Sequence, residues 1–196
     1  SGRDAYQIYG RAVSKLLPNF GGGAFFAGMG VGLAVLCAPA FMPMTVHERA
    51  FVVYNPTNSV PRGWYRVGSI DSGVALHVGS IVLARLPVDV AAFAGQRGYL
   101  PSGVPILKRI GAIAPQSVCV REQVVLIDGA VAAIARAHDG ARRPLPAWQH
   151  CRPLAGGELF LLSDTNPASF DSRYFGPIAA SAVLGIARPL WTWSTP

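Results

Sequence analysis

The chain has 196 residues, of which 51% are hydrophobic and only 14% are charged, a balance that excludes a disordered chain and a charged coiled coil. The 17 Lys and Arg residues against 10 Asp and Glu residues give a formal charge of +7. These cations are scattered along the sequence, whereas a surface that tracks phosphates needs them grouped, so we expect no nucleic-acid partner.

The first predicted element is a membrane-spanning helix at residues 24–43. Residues 24–42 are 19 apolar or small residues without a charge, and as a helix they span roughly 28 Å, about the hydrocarbon thickness of a bilayer. Basic residues in the preceding lead, 1–23, predict a cytoplasmic N-terminus, with residues 44–196 on the far side of the membrane. A cleaved signal peptide is the alternative.

After residue 44 the pattern changes to short runs rich in β-branched residues, separated by Gly and Pro, which predicts a mainly β, antiparallel domain. The dipeptide Asp128-Gly129 between two apolar runs predicts a tight hairpin turn. One short helix is expected at residues 88–94, and residues 135–152, with clustered arginines and prolines, are expected to form a surface loop. The predicted strands are residues 51–54, 63–67, 80–86, 104–113, 118–120, 124–134, 159–163 and 183–190.

Three cysteines are present in the chain. Cys37 lies in the predicted membrane segment, where we expect a free thiol. Cys119 and Cys151 lie in the part predicted to be exported, with no metal-ligand residues beside them, and in an oxidising compartment we expect them to form a disulfide. Two independent buried thiols are the alternative.

The sequence carries no motif for a metal or a cofactor. It has no Gly-x-Gly-x-x-Gly, no phosphate-binding Gly-Lys-Ser/Thr and no His-Glu-x-x-His, and its four histidines share no spacing typical of metal ligands. We therefore expect neither a metal ion nor an organic cofactor.

A serine and a lysine remain as candidates for chemistry. Ser59 lies in a segment bent by two prolines and a glycine between two predicted strands, where a hydroxyl can face a cleft. Strand alternation puts Lys108 on the same face as Ile106 and Ile110. Burial lowers the pKa of a lysine, and a neutral lysine can accept the proton of a serine hydroxyl. The alternatives are an ordinary turn serine and a lysine whose ammonium group reaches water.

Three separated segments resemble the signal peptidase family. Residues 57–61 read Thr-Asn-Ser-Val-Pro, and the catalytic serine of that family also precedes an x-Pro. Residues 106–111 read Ile-Leu-Lys-Arg-Ile-Gly, and residues 163–176 end in the Asp-Ser-Arg-Tyr-Phe-Gly that is similar to the last motif of the family. Their order and the preceding membrane segment agree with the family, which implies a signal-peptidase-like antiparallel β domain with serine endopeptidase activity.

Departures from the pattern of typical bacterial signal peptidases favour one branch. Val60 follows the serine where those enzymes carry Met, and Ser163 and Thr165 stand where they usually carry Gly and Asn. Residues 55–65, Asn-Pro-Thr-Asn-Ser-Val-Pro-Arg-Gly-Trp-Tyr, are similar to the TraF-type peptidases of conjugal transfer. That branch matures the pilin subunit of a conjugative type IV secretion apparatus, in some systems by joining its two ends.

The resemblance implies a role for each matching residue. Ser59 corresponds to the nucleophile, Lys108 to its general base and Ser169 to a hydroxyl that orients the lysine. The Ser59 backbone N–H and the Thr57 hydroxyl correspond to the oxyanion hole. Three further positions match the third motif: Asp164, Asp171 and Arg173. The last two are expected to pair and to hold that segment in place.

The sequence and the resemblance together predict a membrane-anchored Ser-Lys endopeptidase that binds an exported precursor as an extended strand. The resemblance implies that the membrane is a bacterial inner membrane and that residues 44–196 form a peptidase domain in the periplasm. The expected precursor is a pilin subunit, and inner-membrane lipid and components of the secretion system are further expected partners. An apolar lip that includes Phe41, Met42 and Phe51 is expected to rest on the lipid. The alternatives are a general signal peptidase, which removes signal peptides from secreted proteins, and a non-catalytic assembly subunit of the conjugation channel.

Overall fold

The computed structural model describes residues 50–70, 75–101, 103–163 and 165–193. The predicted lead and membrane segment, with Cys37 and the two lip residues Phe41 and Met42, lie outside the described residues, as does Asp164. No helix within the described ranges is long and apolar enough to cross a bilayer. The described part of the chain consists mainly of antiparallel strands, and the predicted mainly β fold is confirmed.

The strands form two sheets. Their bounds are β1 Phe51–Asn55, β2 Arg62–Gly68, β3 Ile81–Ala84, β4 Ile106–Ile113, β5 Ser117–Arg121, β6 Val124–Ile127, β7 Ala130–Ile134, β8 Cys151–Pro153, β9 Glu158–Leu162, β10 Ile178–Ala179 and β11 Val183–Trp193. The larger sheet has the order β1-β2-β11-β3-β4-β9-β10, and all of its pairs are antiparallel. This order places β4 and β9 next to each other, although Glu158, the first residue of β9, follows Ile106, the first residue of β4, by 52 positions.

 The residues between the end of β4 and the start of β9 are 114–157, and they contain the whole of the smaller sheet.

The smaller sheet has the order β7-β6-β5-β8. The predicted turn joins β6 to β7, and Asp128 and Gly129 both have positive φ, 50° and 84°, as a type I′ hairpin turn requires. Cys119 and Cys151 lie directly opposite each other on β5 and β8 and form a disulfide. The predicted pairing of these two cysteines is therefore confirmed.

Two α-helices are present among the described residues. The first, α1, spans Val88–Arg97 and contains the predicted residues 88–94. The second, α2, spans Ser172–Phe175, and the Asp171 side chain caps it by accepting the Arg173 backbone N–H. The sequence did not predict α2, β8 or β10, because elements of two to four residues are too short to show a hydrophobic period.

Strand β9 separates two hydrophobic clusters. Leu159 and Leu161 pack into one cluster, whereas Phe160 and Leu162 pack into the other. Because successive side chains of a strand point to opposite faces, a strand that is buried on both sides needs an unbroken apolar run. The Leu161 backbone N–H also donates to the Ser172 hydroxyl, which ties the segment after β9 to this rigid strand.

Candidate active site

Ser59 lies in the loop 56–61 that joins β1 to β2. Asn55 and Gly63 form the last residue pair at the neck of this loop. Gly63 has φ 144°, and a Cβ there would lie 2.1 Å from the Trp191 carbonyl oxygen on β11, so only glycine fits at this position. The close approach of β11 therefore supports the start of β2, the strand that follows the Ser59 loop.

The Ser59 side chain is buried and has two polar neighbours. Its hydroxyl donates to the Leu107 carbonyl oxygen at 3.2 Å and lies 2.9 Å from the Thr57 hydroxyl oxygen. Leu107 directly precedes Lys108 on β4. The loop thus brings the serine hydroxyl to the strand that carries the lysine.

Lys108 is only 5% exposed to solvent, and its two neighbours on the same face, Ile106 and Ile110, are buried with it. The predicted burial is therefore observed, and the ammonium group does not reach water. Desolvation lowers the pKa of Lys108 to about 8, against the opposing effect of the Asp171 carboxylate. The lysine Nζ donates a hydrogen bond to the Ser169 hydroxyl.

Asp171 and Arg173 form a fully buried ion pair. The Arg173 Nε and Nη2 atoms donate to the two carboxylate oxygens at 2.8 and 2.7 Å, the bidentate geometry that arginine favours. The remaining donors of Arg173 bind backbone carbonyl oxygens of Ile134, Asn166, Pro167 and Ser169. The pair therefore holds the loop that carries Ser169 and ties it to β7.

The buried charges of this region balance when Lys108 is neutral. Asp171 and Arg173 compensate each other, so a protonated Lys108 adds a third buried charge without a partner of its own. The Arg173 charge acts in the same direction as desolvation on the pKa of Lys108. The electrostatics of the site thus favour a lysine that loses its proton easily.

Six of the seven sequence-predicted site residues lie in two hydrogen-bonded groups that meet at β4, one formed by the Ser59 loop and the other by Lys108 with the segment after β9. A further contact joins the first and third segments, because the Thr165 hydroxyl donates to the Asn58 carbonyl oxygen. Asp164 lies outside the described residues. The six residues are Thr57, Ser59, Lys108, Ser169, Asp171 and Arg173.

The sequence did not indicate one residue that holds the Ser59 loop, Asn55. Its buried amide binds Thr57 through both the side-chain nitrogen and the side-chain oxygen. The available signal is an asparagine directly before a proline, which is typical of a turn that the side chain stabilises. Within the described ranges, no group of three or more His, Cys, Asp or Glu residues is arranged to hold a metal ion.

Comparison with known proteins gives a consistent set of relatives. The profile of the family described as signal peptidase, peptidase S26, matches residues 27–193. A plasmid transfer protein TraF from Escherichia coli is 31% identical over 192 residues, which cover 92% of this chain and 100% of the relative. A conjugal transfer protein TraF from Agrobacterium fabrum is 35% identical over 153 residues, 71% of this chain and 81% of the relative.

A probable conjugal transfer protein TraF from Sinorhizobium fredii is 34% identical over 152 residues, which cover 71% of this chain and 77% of that protein. Among solved structures, a signal peptidase I from Enterococcus faecalis aligns with 58% of this chain and 97% of its own, at 20% identity and a TM-score of 0.35. The family profile and the TraF relatives confirm the resemblance that the three sequence segments indicated.

Proposed function

Because the chain belongs to the signal peptidase family, peptidase S26, we propose that it is a membrane-anchored serine endopeptidase with a catalytic dyad of Ser59 and Lys108. The observation that carries the proposal is the environment of Lys108. This lysine is buried beside the Ser59 loop, its pKa is lowered to about 8, and the Ser169 hydroxyl fixes its Nζ. Such a lysine can act as a general base near neutral pH.

The proposed reaction starts when neutral Lys108 accepts the proton of the Ser59 hydroxyl and the Ser59 Oγ attacks the scissile carbonyl carbon. The Ser59 N–H and the Thr57 hydroxyl donate to the resulting oxyanion. The Lys108 ammonium then gives its proton to the leaving amine as the peptide C–N bond breaks, which leaves an acyl group on Ser59. Water, activated by Lys108, hydrolyses this ester and restores the serine. Attack by the amine of the same substrate chain, in place of water, would close a ring.

The proposed role of the third segment, residues 163–176, is to orient Lys108. Ser169 accepts a hydrogen bond from the Lys108 Nζ, and Arg173 donates to the Ser169 carbonyl oxygen at 3.2 Å. Because Arg173 is itself held by the buried Asp171 carboxylate, the hydroxyl that orients the lysine is fixed through its backbone. A base that is held in this way needs little reorganisation before it accepts a proton.

The expected substrate is an exported precursor bound as an extended strand. Strand β1 has β2 as its neighbour on one side and lies at an edge of the larger sheet in the described part of the chain. It also leads directly into the Ser59 loop. A peptide added along this edge would run toward the serine, which supports recognition through main-chain hydrogen bonds and shallow side-chain pockets.

An exposed aromatic surface supports contact with inner-membrane lipid. The Tyr54 ring lies 5.0 Å from the Trp64 ring and 6.1 Å from the Trp193 ring, measured between centroids. Trp191, on the same end of β11, is 73% exposed, and amphipathic rings of this kind favour the membrane–water interface. Phe51 of the expected lip is exposed as well. The disulfide supports a periplasmic location.

The names of the relatives support a role in conjugation. The three TraF proteins are described as plasmid or conjugal transfer proteins. We therefore propose the pilin subunit of a conjugative type IV secretion system as the substrate, with secretion-system components as further partners. A general signal peptidase remains the second candidate, and a non-catalytic assembly subunit the third.

The test uses the purified full-length chain with a conjugative pro-pilin and, separately, with a secretory preprotein, followed by mass spectrometry. Ser59→Ala and Lys108→Ala should each abolish processing of the pro-pilin, whereas Ser80→Ala, which truncates another buried serine, should process it at the wild-type rate. Ring closure would appear as the loss of one further water.

Wild-type processing by either dyad variant would overturn the Ser-Lys mechanism. Efficient cleavage of the preprotein with the pro-pilin left intact would instead favour the general signal peptidase and leave the dyad in place. A wild-type protein that is folded but cleaves neither substrate would favour the assembly subunit.

A further inference from the structure

Asn55, the last residue of β1, makes more hydrogen bonds to the Ser59 loop than any one of the predicted site residues does. Its side chain is 6% exposed. The Nδ2 atom lies 2.9, 3.1 and 3.2 Å from the carbonyl oxygens of Thr57, Val60 and Pro61. The Oδ1 atom accepts from the Thr57 N–H at 3.2 Å and from the Thr57 hydroxyl at 2.8 Å. One buried amide therefore fixes both sides of the loop.

The hydroxyl protons of Thr57 and Ser59 are too few for all the contacts that these oxygens make. Thr57 Oγ1 has a single proton, and the amide oxygen of Asn55 can only accept. The 2.8 Å contact between these two oxygens therefore takes the Thr57 proton, because two oxygens at that distance repel without one. Thr57 Oγ1 then faces the Ser59 Oγ, 2.9 Å away, as an acceptor.

This arrangement determines where the Ser59 proton can go. Its two acceptors are Thr57 Oγ1 and the Leu107 carbonyl oxygen at 3.2 Å. The orientation of the serine hydroxyl thus depends on Thr57, and the orientation of Thr57 depends on Asn55. The proposed oxyanion hole needs the same Thr57 proton that Asn55 holds in the structure.

We propose that Asn55 is a positioning residue of the peptidase: its nitrogen holds the Ser59 loop and its oxygen orients the Thr57 hydroxyl. This inference rests on the proposed function. When a substrate carbonyl becomes an oxyanion, the Thr57 hydroxyl turns from Asn55 and donates to it. Asn55 Oδ1 keeps the Thr57 N–H, so the turn exchanges one hydrogen bond for another and leaves no buried acceptor without a donor.

The loop offers a matched control. The Tyr65 hydroxyl donates to the Pro61 carbonyl oxygen at 2.6 Å, so Tyr65→Phe also removes a hydrogen bond that holds this loop. A residue that only stabilises the loop should behave like Tyr65, whereas a positioning residue should not.

The test measures kcat, KM and thermal stability of the full-length chain with the pro-pilin. Asn55→Ala should lower kcat by roughly 10- to 100-fold, since small misplacements of a reacting group cost factors of this size, with KM changed less than about threefold. Tyr65→Phe should leave kcat within about threefold of the wild type. Equal losses of kcat in the two variants, at equal losses of stability, would overturn the inference.

A double-mutant cycle measures the coupling between Asn55 and Thr57 in kcat, which a purely structural role of Asn55 would not produce. Thr57→Val removes the hydroxyl that Asn55 orients, so Asn55→Ala should cost a smaller factor in kcat in that background than in the wild type. If the two losses multiply in full, Asn55 does not act through Thr57 and the inference fails.

If Asn55→Ala does not fold, Asn55→Asp tests the same inference. A protonated carboxyl retains the acceptor and one donor of the amide, whereas a carboxylate retains the acceptor alone. The kcat of this variant relative to the wild type should therefore rise as the pH falls. A ratio that is independent of pH in folded protein would overturn the inference.

Ser59→Ala distinguishes a failure of the positioning role of Asn55 from a failure of the proposed function. If that variant is inactive and Asn55→Ala is fully active, the positioning role fails and the proposed function stands. If Ser59→Ala processes the pro-pilin, the proposed function fails and the positioning role fails with it.

Discussion

The two sheets bury different kinds of residues. The larger sheet and its loops bury polar and charged groups, among them Lys108 and the Asp171–Arg173 pair. In the described strands of the smaller sheet, the buried side chains are apolar, such as Val118, Val120 and Val125. In the smaller sheet a disulfide joins the neighbouring strands β5 and β8.

The difference separates two tasks within one domain. Burial of a polar group lowers stability unless hydrogen bonds compensate it, and the groups buried around Lys108 are compensated by one another. The smaller sheet carries no such group among the described residues and contributes apolar packing beside β9. Changes in the larger sheet should therefore affect activity and stability together, whereas changes in the smaller sheet should affect stability alone.

The largest expected effect comes from breaking the buried ion pair. Asp171→Asn leaves the Arg173 charge buried without its partner and should lower the free energy of unfolding by about 3–5 kcal/mol, as measured by denaturant unfolding. Processing of the pro-pilin should fall as well, because the Ser169 loop loses its support. Glu158→Gln is the control: its pair with Arg152 is partly exposed and should contribute less than about 1 kcal/mol. Equal losses in the two variants would contradict the special role of the buried pair.

The next effect should come from the disulfide of the smaller sheet. The double variant Cys119→Ala/Cys151→Ala opens a loop with a sequence separation of 32 and should lower the free energy of unfolding by about 3–4 kcal/mol. Because no residue of the proposed dyad lies in this sheet, kcat for the pro-pilin should stay within about twofold of the wild type at a temperature where the variant is folded. A tenfold loss of kcat would show that the two sheets are not separable in this way.

The smallest effect is the pH dependence of the dyad, and it sharpens the comparison. Burial lowers the pKa of Lys108 to about 8, so the neutral base accumulates as the pH rises, and single-turnover processing should reach half of its maximum near pH 8. At pH 7 the rate should be about tenfold below the plateau, since only about a tenth of the lysine is neutral.

Two variants test the origin of this profile. The disulfide-free variant should keep the midpoint of the wild type, whereas Asp171→Asn should move it to lower pH, because the Asp171 charge raises the pKa of Lys108. A midpoint near 10.5, the ordinary value for lysine, would mean that desolvation does not act on this residue in solution. A rate that does not depend on pH would exclude Lys108 as the base.

The predictable part of the fold has a local cause. Each long strand shows its apolar residues at a spacing of two or as an unbroken run, and the Asp128-Gly129 turn needs two residues that tolerate positive φ. The same alternation placed Lys108 on the buried face of β4. Strands β8 and β10 and helix α2 escaped prediction because they follow from pairing and capping partners elsewhere in the chain.

The candidate site also contains residues that the sequence identifies and residues that depend on distant partners. Ser59, Lys108 and the third segment were recognisable as sequence motifs, since their residue types suit the proposed chemistry. Asn55 was not, because its importance depends on which carbonyl oxygens its amide meets after the loop has folded back. An Asn-Pro pair indicates a turn but does not identify the groups that the turn brings together.

The sequence by itself determined which groups are available for the proposed catalysis, the order of the three segments that carry them and the face of β4 on which the lysine lies. Tertiary structure alone decided which partners these groups have. The Ser59 hydroxyl contacts a carbonyl 48 positions away, because the β1–β2 loop folds against β4. Lys108 binds a hydroxyl 61 positions away, because the sheet places β4 and β9 side by side. The lowered pKa of Lys108 has the same origin, since desolvation comes from residues that are distant in the chain and packed around it in the fold.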